Sequence, residues 1–166
     1  MEYASKKPYP TPRVLGKNKE YATLLSASYA GMISEQTAIH QYLYQSFVLE
    51  PDVSTILHHI SIVEMHHFEL LAETIKLLGT LPKYQSYSTT DVALPWTASY
   101  VPYPETLEEM LETDLRSEET AIHNYQVLIE EIKDPYIKEL IERIIEDEYL
   151  HVKIFQTLLK RKTEKN

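Results

Sequence analysis

Two stretches of this 166-residue chain nearly coincide, and the coincidence limits what the chain can fold into. Ser34-Glu35-Gln36-Thr37-Ala38-Ile39-His40-Gln41-Tyr42 and Ser117-Glu118-Glu119-Thr120-Ala121-Ile122-His123-Asn124-Tyr125 agree at seven of nine positions. Each is followed by a Glu-x-x-His. Glu64, paired with His67, lies 29 residues beyond Glu35, and Glu148, paired with His151, lies 30 beyond Glu118. The pattern reads as two copies of one helical hairpin, each bringing two carboxylates and an imidazole to a shared site.

Spacings of three and four keep side chains on one face of a helix. The stripe Val53, Leu57, Ile60, Glu64, His67, Leu71, Thr74 puts Glu64 and His67 where the rhythm calls for core. Ile137, Ile141, Ile144, Glu148, His151, Phe155 and Leu158 repeat the arrangement. Glu35 falls among Leu24, Ile39 and Leu49, and Glu118 among Leu111, Ile122 and Ile129. Four glutamates therefore point into one apolar interior, with no lysine or arginine on these stripes to pair with them. Burying an ionised carboxylate without a partner costs several kcal/mol. Two divalent cations would balance the four charges, with the two imidazoles as further ligands. Carboxylate-rich ligation with one nitrogen per metal suits iron or manganese better than copper or structural zinc, and it leaves open coordination positions. In a chain this rich in glutamate about one Glu-x-x-His is expected by chance, so the repetition carries the reading.

Taken in order, residues 1–17 hold Pro8, Pro10 and Pro12 without helical period and read as an extended arm, suited to packing on a partner subunit. Residues 18–166 read as the bundle. A first helix runs from a cap at Asn18 to Leu49, stopped by Glu50-Pro51, and a second from about Asp52 to Leu78, with Gly79 as its C′ residue. Residues 79–103 contain Pro82, Pro95 and Pro102 and form a crossover long enough to return along the whole bundle. A third helix starts at Pro104-Glu105 and runs to Ile132. Asp134-Pro135 opens a fourth that reaches about Arg161. The expected fold is all-α: a four-helix bundle of two hairpins joined by one long crossover.

The net charge of −9 leaves no basic stripe for nucleic acid. The one basic cluster, Lys160-Arg161-Lys162 with Lys165, suits a helix C-terminus. The absence of cysteine excludes disulfides, iron–sulfur clusters and thiolate zinc sites within this sequence. No apolar run approaches the roughly 18 residues that span a bilayer, so no membrane partner and a cytoplasmic location are expected.

At these residues the chain resembles the ferritin-like di-metal carboxylate superfamily, which includes rubrerythrins, manganese catalases and bacterioferritins. The resemblance implies terminal ligands at Glu35 and Glu118, bridging ligands at Glu64 and Glu148, and one imidazole per metal from His67 and His151. Met65 matches the haem-ligating methionine of bacterioferritin, but a surface methionine is expected to pack, and haem is not expected. The run Leu94-Pro95-Trp96-Thr97-Ala98-Ser99-Tyr100 and the proline-rich arm resemble manganese catalases and related spore-coat proteins, in which the second bridging glutamate can fall back from the metal. Rubrerythrins carry a further glutamate one turn after the third-helix ligand, where this chain has Ala121.

Asp147, before Glu148, is placed to hold the free nitrogen of a ligand histidine from the other hairpin, and the matching position before Glu64 is Val63. Tyr42 and Tyr125 are expected to be core packing, ahead of a redox role. His40 and His123 are read as hydrogen-bonded or interface residues, and His58, His59 and His66 receive no role.

The resemblance implies an oxidoreductase with two iron or manganese ions per chain, acting on hydrogen peroxide or dioxygen. Ala38 and Ala121, one turn from the terminal glutamates, leave room for such a ligand. Catalase-type peroxide detoxification is favoured, since it needs no external electron donor. A donor-dependent rubrerythrin-like peroxidase stands next. Ferrous-ion oxidation for storage and a metal-bearing coat subunit are the alternatives. A homo-oligomer, dimer or larger, is expected.

Overall fold

Among the residues described by the computed structural model, 2–163, the chain forms five α-helices. They are α1 (Lys19–Ala30), α2 (Glu35–Val48), α3 (Pro51–Leu77), α4 (Leu107–Glu131) and α5 (Pro135–Thr163). Lys165 of the basic cluster lies outside the described residues. α2 packs along α3 and α4 along α5, each pair joined by a short link, so the molecule is an all-α ferritin-like bundle of two hairpins. No described helix is long and apolar enough to cross a membrane.

The first rod of the bundle is not one helix. The expected continuous helix from Asn18 to Leu49 is interrupted at residues 31–34, and the interruption is built from local chemistry. Gly31 ends α1 with its N–H on Ala27 O at 2.9 Å, and a Cβ there would stand 2.5 Å from that same oxygen. Ser34 then caps α2: its Oγ accepts from Thr37 N at 3.3 Å and donates to Gly31 O at 2.8 Å. The break resets the helical phase. Leu24, Ile39 and Leu49 come out only partly buried, and Leu25, Tyr29, Gln41, Tyr42 and Gln45 face inward instead.

The other helix ends follow their signals. Pro51 occupies the first turn of α3, and Gly79, at φ +91°, closes its end. Gly79 N bonds Lys76 O at 3.0 Å and Thr80 N bonds Ile75 O at 3.3 Å, which satisfies two terminal carbonyls. α4 begins later than Pro104-Glu105 because Thr106 and Glu109 form a reciprocal capping box. Asp134 opens α5, accepting from Tyr136 N at 3.0 Å.

Two apolar clusters fill the bundle. One gathers Ala22, Leu25 and Tyr29 of α1 with Leu71, Ile75, Tyr125, Ile141 and Ile144. The other gathers Tyr42 of α2 with Leu57, Ile60, Leu111 and Phe155. The sequence positions of Glu35, Glu64, Glu118 and Glu148 fall between the residues of these two clusters on every rod.

The crossover is more ordered than a structureless loop. It carries a hairpin of β1 (Gln85–Tyr87) and β2 (Ala93–Pro95), paired Gln85 to Pro95, and a 3-10 turn at Ala98–Tyr100. Trp96 Nε1 donates to Thr37 Oγ1 at 3.0 Å, and Tyr29 OH to Pro82 O at 3.1 Å, tying the crossover to α2 and α1. The arm lies on its own bundle. Tyr3 stacks on His59 at 4.8 Å, Arg13 covers the Tyr136 ring at 4.1 Å, and Leu15 N donates to Asp134 Oδ2 at 2.6 Å.

Candidate metal centre

All six residues singled out by the repeat meet at the middle of the bundle, each at most 5% exposed. Glu35 enters from the first turn of α2, Glu64 and His67 from α3, Glu118 from α4, and Glu148 and His151 from α5. Glu35, Glu64, His67 and Glu148 place donor atoms within 4.8 Å of one another, and Glu64, Glu118, Glu148 and His151 do the same. Glu64 and Glu148 belong to both groups.

Each histidine turns Nδ1 inward. His67 Nδ1 lies 3.0 Å from Glu64 Oε2, 3.1 Å from Glu148 Oε1 and 3.8 Å from Glu35 Oε2. His151 Nδ1 lies 2.9 Å from Glu64 Oε1, 3.2 Å from Glu148 Oε2 and 3.8 Å from Glu118 Oε1. The hydrogen bonds of these nitrogens run to Oε2 of Glu64 and Oε2 of Glu148, and the buried Oε1 atoms of both, though close to a ring nitrogen, receive none. Buried acceptors of this kind normally find a donor. Four carboxylates, two imidazoles and two such oxygens fit a pair of divalent cations in charge, ligand type and number.

Without metal, protons balance the charge. Burial, reinforced by the charges of Glu148 and Glu64, holds the Glu35 and Glu118 carboxyls well above the usual carboxylate range. Burial also opposes ionisation of Glu64 and Glu148, but the imidazoles of His151 and His67 outweigh it and pull both below that range. Burial disfavours the charged rings as well. The Glu148 carboxylate nevertheless holds His67 well above an ordinary histidine, and Glu64 lifts His151 to about 10.

The surrounding contacts cross between hairpins. Tyr125 OH donates to Glu35 Oε1, and Tyr42 OH donates to Glu118 Oε1. Plain core packing was therefore too modest an expectation for these tyrosines; both rings are buried and both hydroxyls end on a glutamate of the site. Asp147 Oδ2 lies 3.0 Å from His67 Nε2, as the sequence suggested. His151 Nε2 instead meets the backbone carbonyl of Tyr3 at 2.9 Å. His40 and His123 are exposed and stand apart from the site, as does Met65, 40% exposed on α3.

Sequence reasoning missed four participants. Arg143, 1% exposed, pairs with Asp147 Oδ1 at 2.7 Å. Its signal was the four-residue spacing to Asp147, one position off the ligand stripe. Tyr9 donates its hydroxyl to Asp147 Oδ2. Asp114 is buried on α4, one turn before Glu118, accepting from Gln41 Nε2 at 2.5 Å and Gln45 Nε2 at 2.8 Å. Burial pushes its carboxyl up to about 7. The Tyr3 carbonyl, a backbone atom, has no residue-type signal.

Beside the carboxylates is a cavity of about 30 Å³, lined by Ala38 and Ala121 together with Glu35, Glu64, Glu118 and Glu148. That is room for one or two molecules the size of water.

The family model of the ferritin-like domain matches residues 32–163, and the chain belongs to that family. It is 28% identical to a probable manganese catalase of Clostridium acetobutylicum, over 90% of this chain and 74% of that protein. It is 30% identical to a bacterioferritin of Desulfovibrio desulfuricans, over 75% of this chain and 67% of that one. Among solved structures, a manganese catalase from Anabaena superposes with a TM-score of 0.84, covering 97% of this chain and 80% of that one, at 23% identity. The Desulfovibrio desulfuricans bacterioferritin, whose structure shows a diiron site, gives 0.73 at 26% identity, covering 87% and 81%.

Proposed function

We propose that this chain is a dinuclear metal oxidoreductase that disproportionates hydrogen peroxide. The observation that carries the reading is the pair of ligand quartets sharing Glu64 and Glu148 beside a cavity of about 30 Å³. Glu35 and His67 would hold one ion and Glu118 and His151 the other, with Glu64 and Glu148 available to both. When bound, two manganese or iron ions supply the electron transfer and polarise the peroxide oxygens.

The chain's own residues do the rest. Ala38 and Ala121 keep the cavity open to a ligand of two heavy atoms and too small for an organic substrate. The four glutamates at the cavity wall are themselves buried, which strengthens the charge interactions among them. Tyr125 and Tyr42 each hold a proton on Oε1 of a terminal glutamate, steadying that carboxylate's orientation and damping its charge. In the metal-free chain Glu35 and Glu118 are the carboxyls that burial and the neighbouring Glu148 and Glu64 charges make most basic, so they would release protons as the ions bind. In the reaction one peroxide is oxidised to dioxygen while a second is reduced to water, so electrons and protons pass between the two and no outside donor is consumed.

Similarity to the probable manganese catalase spans more of this chain than similarity to the bacterioferritin, which favours the catalase type over ferrous-ion oxidation. The test is elemental analysis of protein expressed with iron and manganese both supplied, followed by oxygen-electrode measurement with peroxide. About two manganese per chain with oxygen evolution is the expected result. Two iron per chain, no oxygen evolution and a hollow multi-subunit shell by size-exclusion chromatography would move the assignment to iron oxidation and storage. A folded chain that cannot be loaded with either metal would overturn the dinuclear reading.

A further inference from the structure

We infer that the N-terminal arm, residues 3–9, is a working part of the metal centre: locked down by Arg143, it fixes the outer nitrogens of both His67 and His151. The inference rests on the dinuclear reading above and concerns residues outside the ligand set. His151 Nε2 meets the Tyr3 carbonyl at 2.9 Å. A carbonyl only accepts, so Nε2 must carry the proton, leaving Nδ1 as the atom that can bind a metal. His67 Nε2 meets Asp147 Oδ2 at 3.0 Å, which forces the same tautomer.

Asp147 is itself held by the arm. Its Oδ1 accepts from Ser5 N at 2.6 Å and from Arg143 Nη1 at 2.7 Å, and its Oδ2 accepts from Tyr9 OH. Arg143 completes the lock, donating Nε to Lys7 O at 2.7 Å and Nη2 to Ser5 O at 2.9 Å, with its guanidinium 4.0 Å over the Tyr9 ring. A fully buried arginine is costly unless its donors are met, and here two of the three acceptors are arm carbonyls. The geometry makes Arg143 a positioning residue acting through Asp147 on His67 and through the arm backbone on His151.

The two ions should therefore depend on the arm in different ways. Loss of the whole arm affects both. Loss of the Asp147 charge acts directly on the ion on His67, and on the other only through the loosened arm. The experiment loads full-length protein, a chain lacking residues 2–9, and the full-length variants Arg143→Gln and Asp147→Asn with manganese(II), then follows release of each ion to excess EDTA. Circular dichroism of the metal-free forms checks folding, and the two point variants keep the test available if the shortened chain does not fold.

The expected result is release of both ions about ten-fold faster or more from the shortened chain and from Arg143→Gln. For Asp147→Asn two phases are expected, the ion on His67 released faster than the ion on His151, an unequal split that general loosening of the fold would not produce. Release unchanged in all three, with two ions per chain throughout, overturns the inference and leaves the dinuclear site intact. A full-length chain that holds no ions overturns both.

Discussion

The two hairpins carry nearly the same residues in different settings, and the difference separates what the repeat dictates from what the rest of the chain adds. Glu35 and Glu118 each receive a tyrosine hydroxyl from the opposite hairpin, and His67 and His151 each face both shared glutamates. Outside that inner set the likeness ends. One histidine is backed by a buried carboxylate and an arginine, the other by a backbone carbonyl of the arm. One nonapeptide opens a helix, while the other lies inside α4. A duplicated motif thus supplies the six residues proposed as ligands, and unique segments supply the groups behind each histidine.

The strongest way to break the comparison is to remove the proposed ligands one at a time. Glu64→Ala and Glu148→Ala, which belong to both quartets, are each expected to leave close to no manganese after desalting. Glu35→Ala and Glu118→Ala, each in one quartet, are expected to leave about one ion. One retained ion in Glu148→Ala would make that residue a one-sided ligand, and the halves would then differ at their centre as well as at their edges.

Acid–base behaviour tests the part the halves share. His151, raised to about 10, and His67, also raised, contribute stability that is complete below the unfolded value near 6.5 and lost as the pH climbs through the folded one. Glu35 and Glu118, raised as well, favour the folded state less once the unfolded carboxyls ionise above about 4.5, so their effect has the same sign. Glu64 and Glu148, lowered, add stability above that range and lose it only in acid. Metal-free protein should therefore lose on the order of several kcal/mol between pH 6.5 and 10. Metal uptake at neutral pH should expel up to about four protons per pair of ions. Thermal melts across that range, with and without manganese, check the first, and indicator-dye titration the second. A metal-free melting temperature that stays flat would mean the imidazoles are not held charged.

Much of this was readable because burial on a long helix follows a period. The α3 and α5 stripes predicted from spacing are all buried, and the caps at Asn18, Gly79 and Asp134 stand where residue type put them. The break in the first rod escaped because apolar periodicity is blind to a turn that keeps both halves amphipathic. Gly31 followed by Ser34 was the available sign. Asp114 sits on the Leu111, Glu118, Ile122 stripe and was open to the same reasoning that found Glu118. The tyrosine-to-glutamate contacts depend on the rotation of one hairpin against the other, which no single helix encodes.

The smallest effect isolates the break itself, through one residue that the repeat supplies twice. Ser34 is buried at the start of α2, where its hydroxyl accepts from Thr37 N and donates to Gly31 O. Its counterpart Ser117 is partly buried within α4, where the backbone is already satisfied by the helix. Ser34→Ala removes a cap and should cost about 1 kcal/mol in urea unfolding of the metal-free protein. Ser117→Ala trades serine for a better helix former and should change stability by no more than about 0.5 kcal/mol. Equal effects would mean that the hydroxyl of Ser34 does not hold the junction and that the two copies differ only in their flanks. Unequal effects in the expected order would show one short sequence acting as a helix start in one hairpin and as helix interior in the other, with Glu35 and Glu118 still delivered to the same centre.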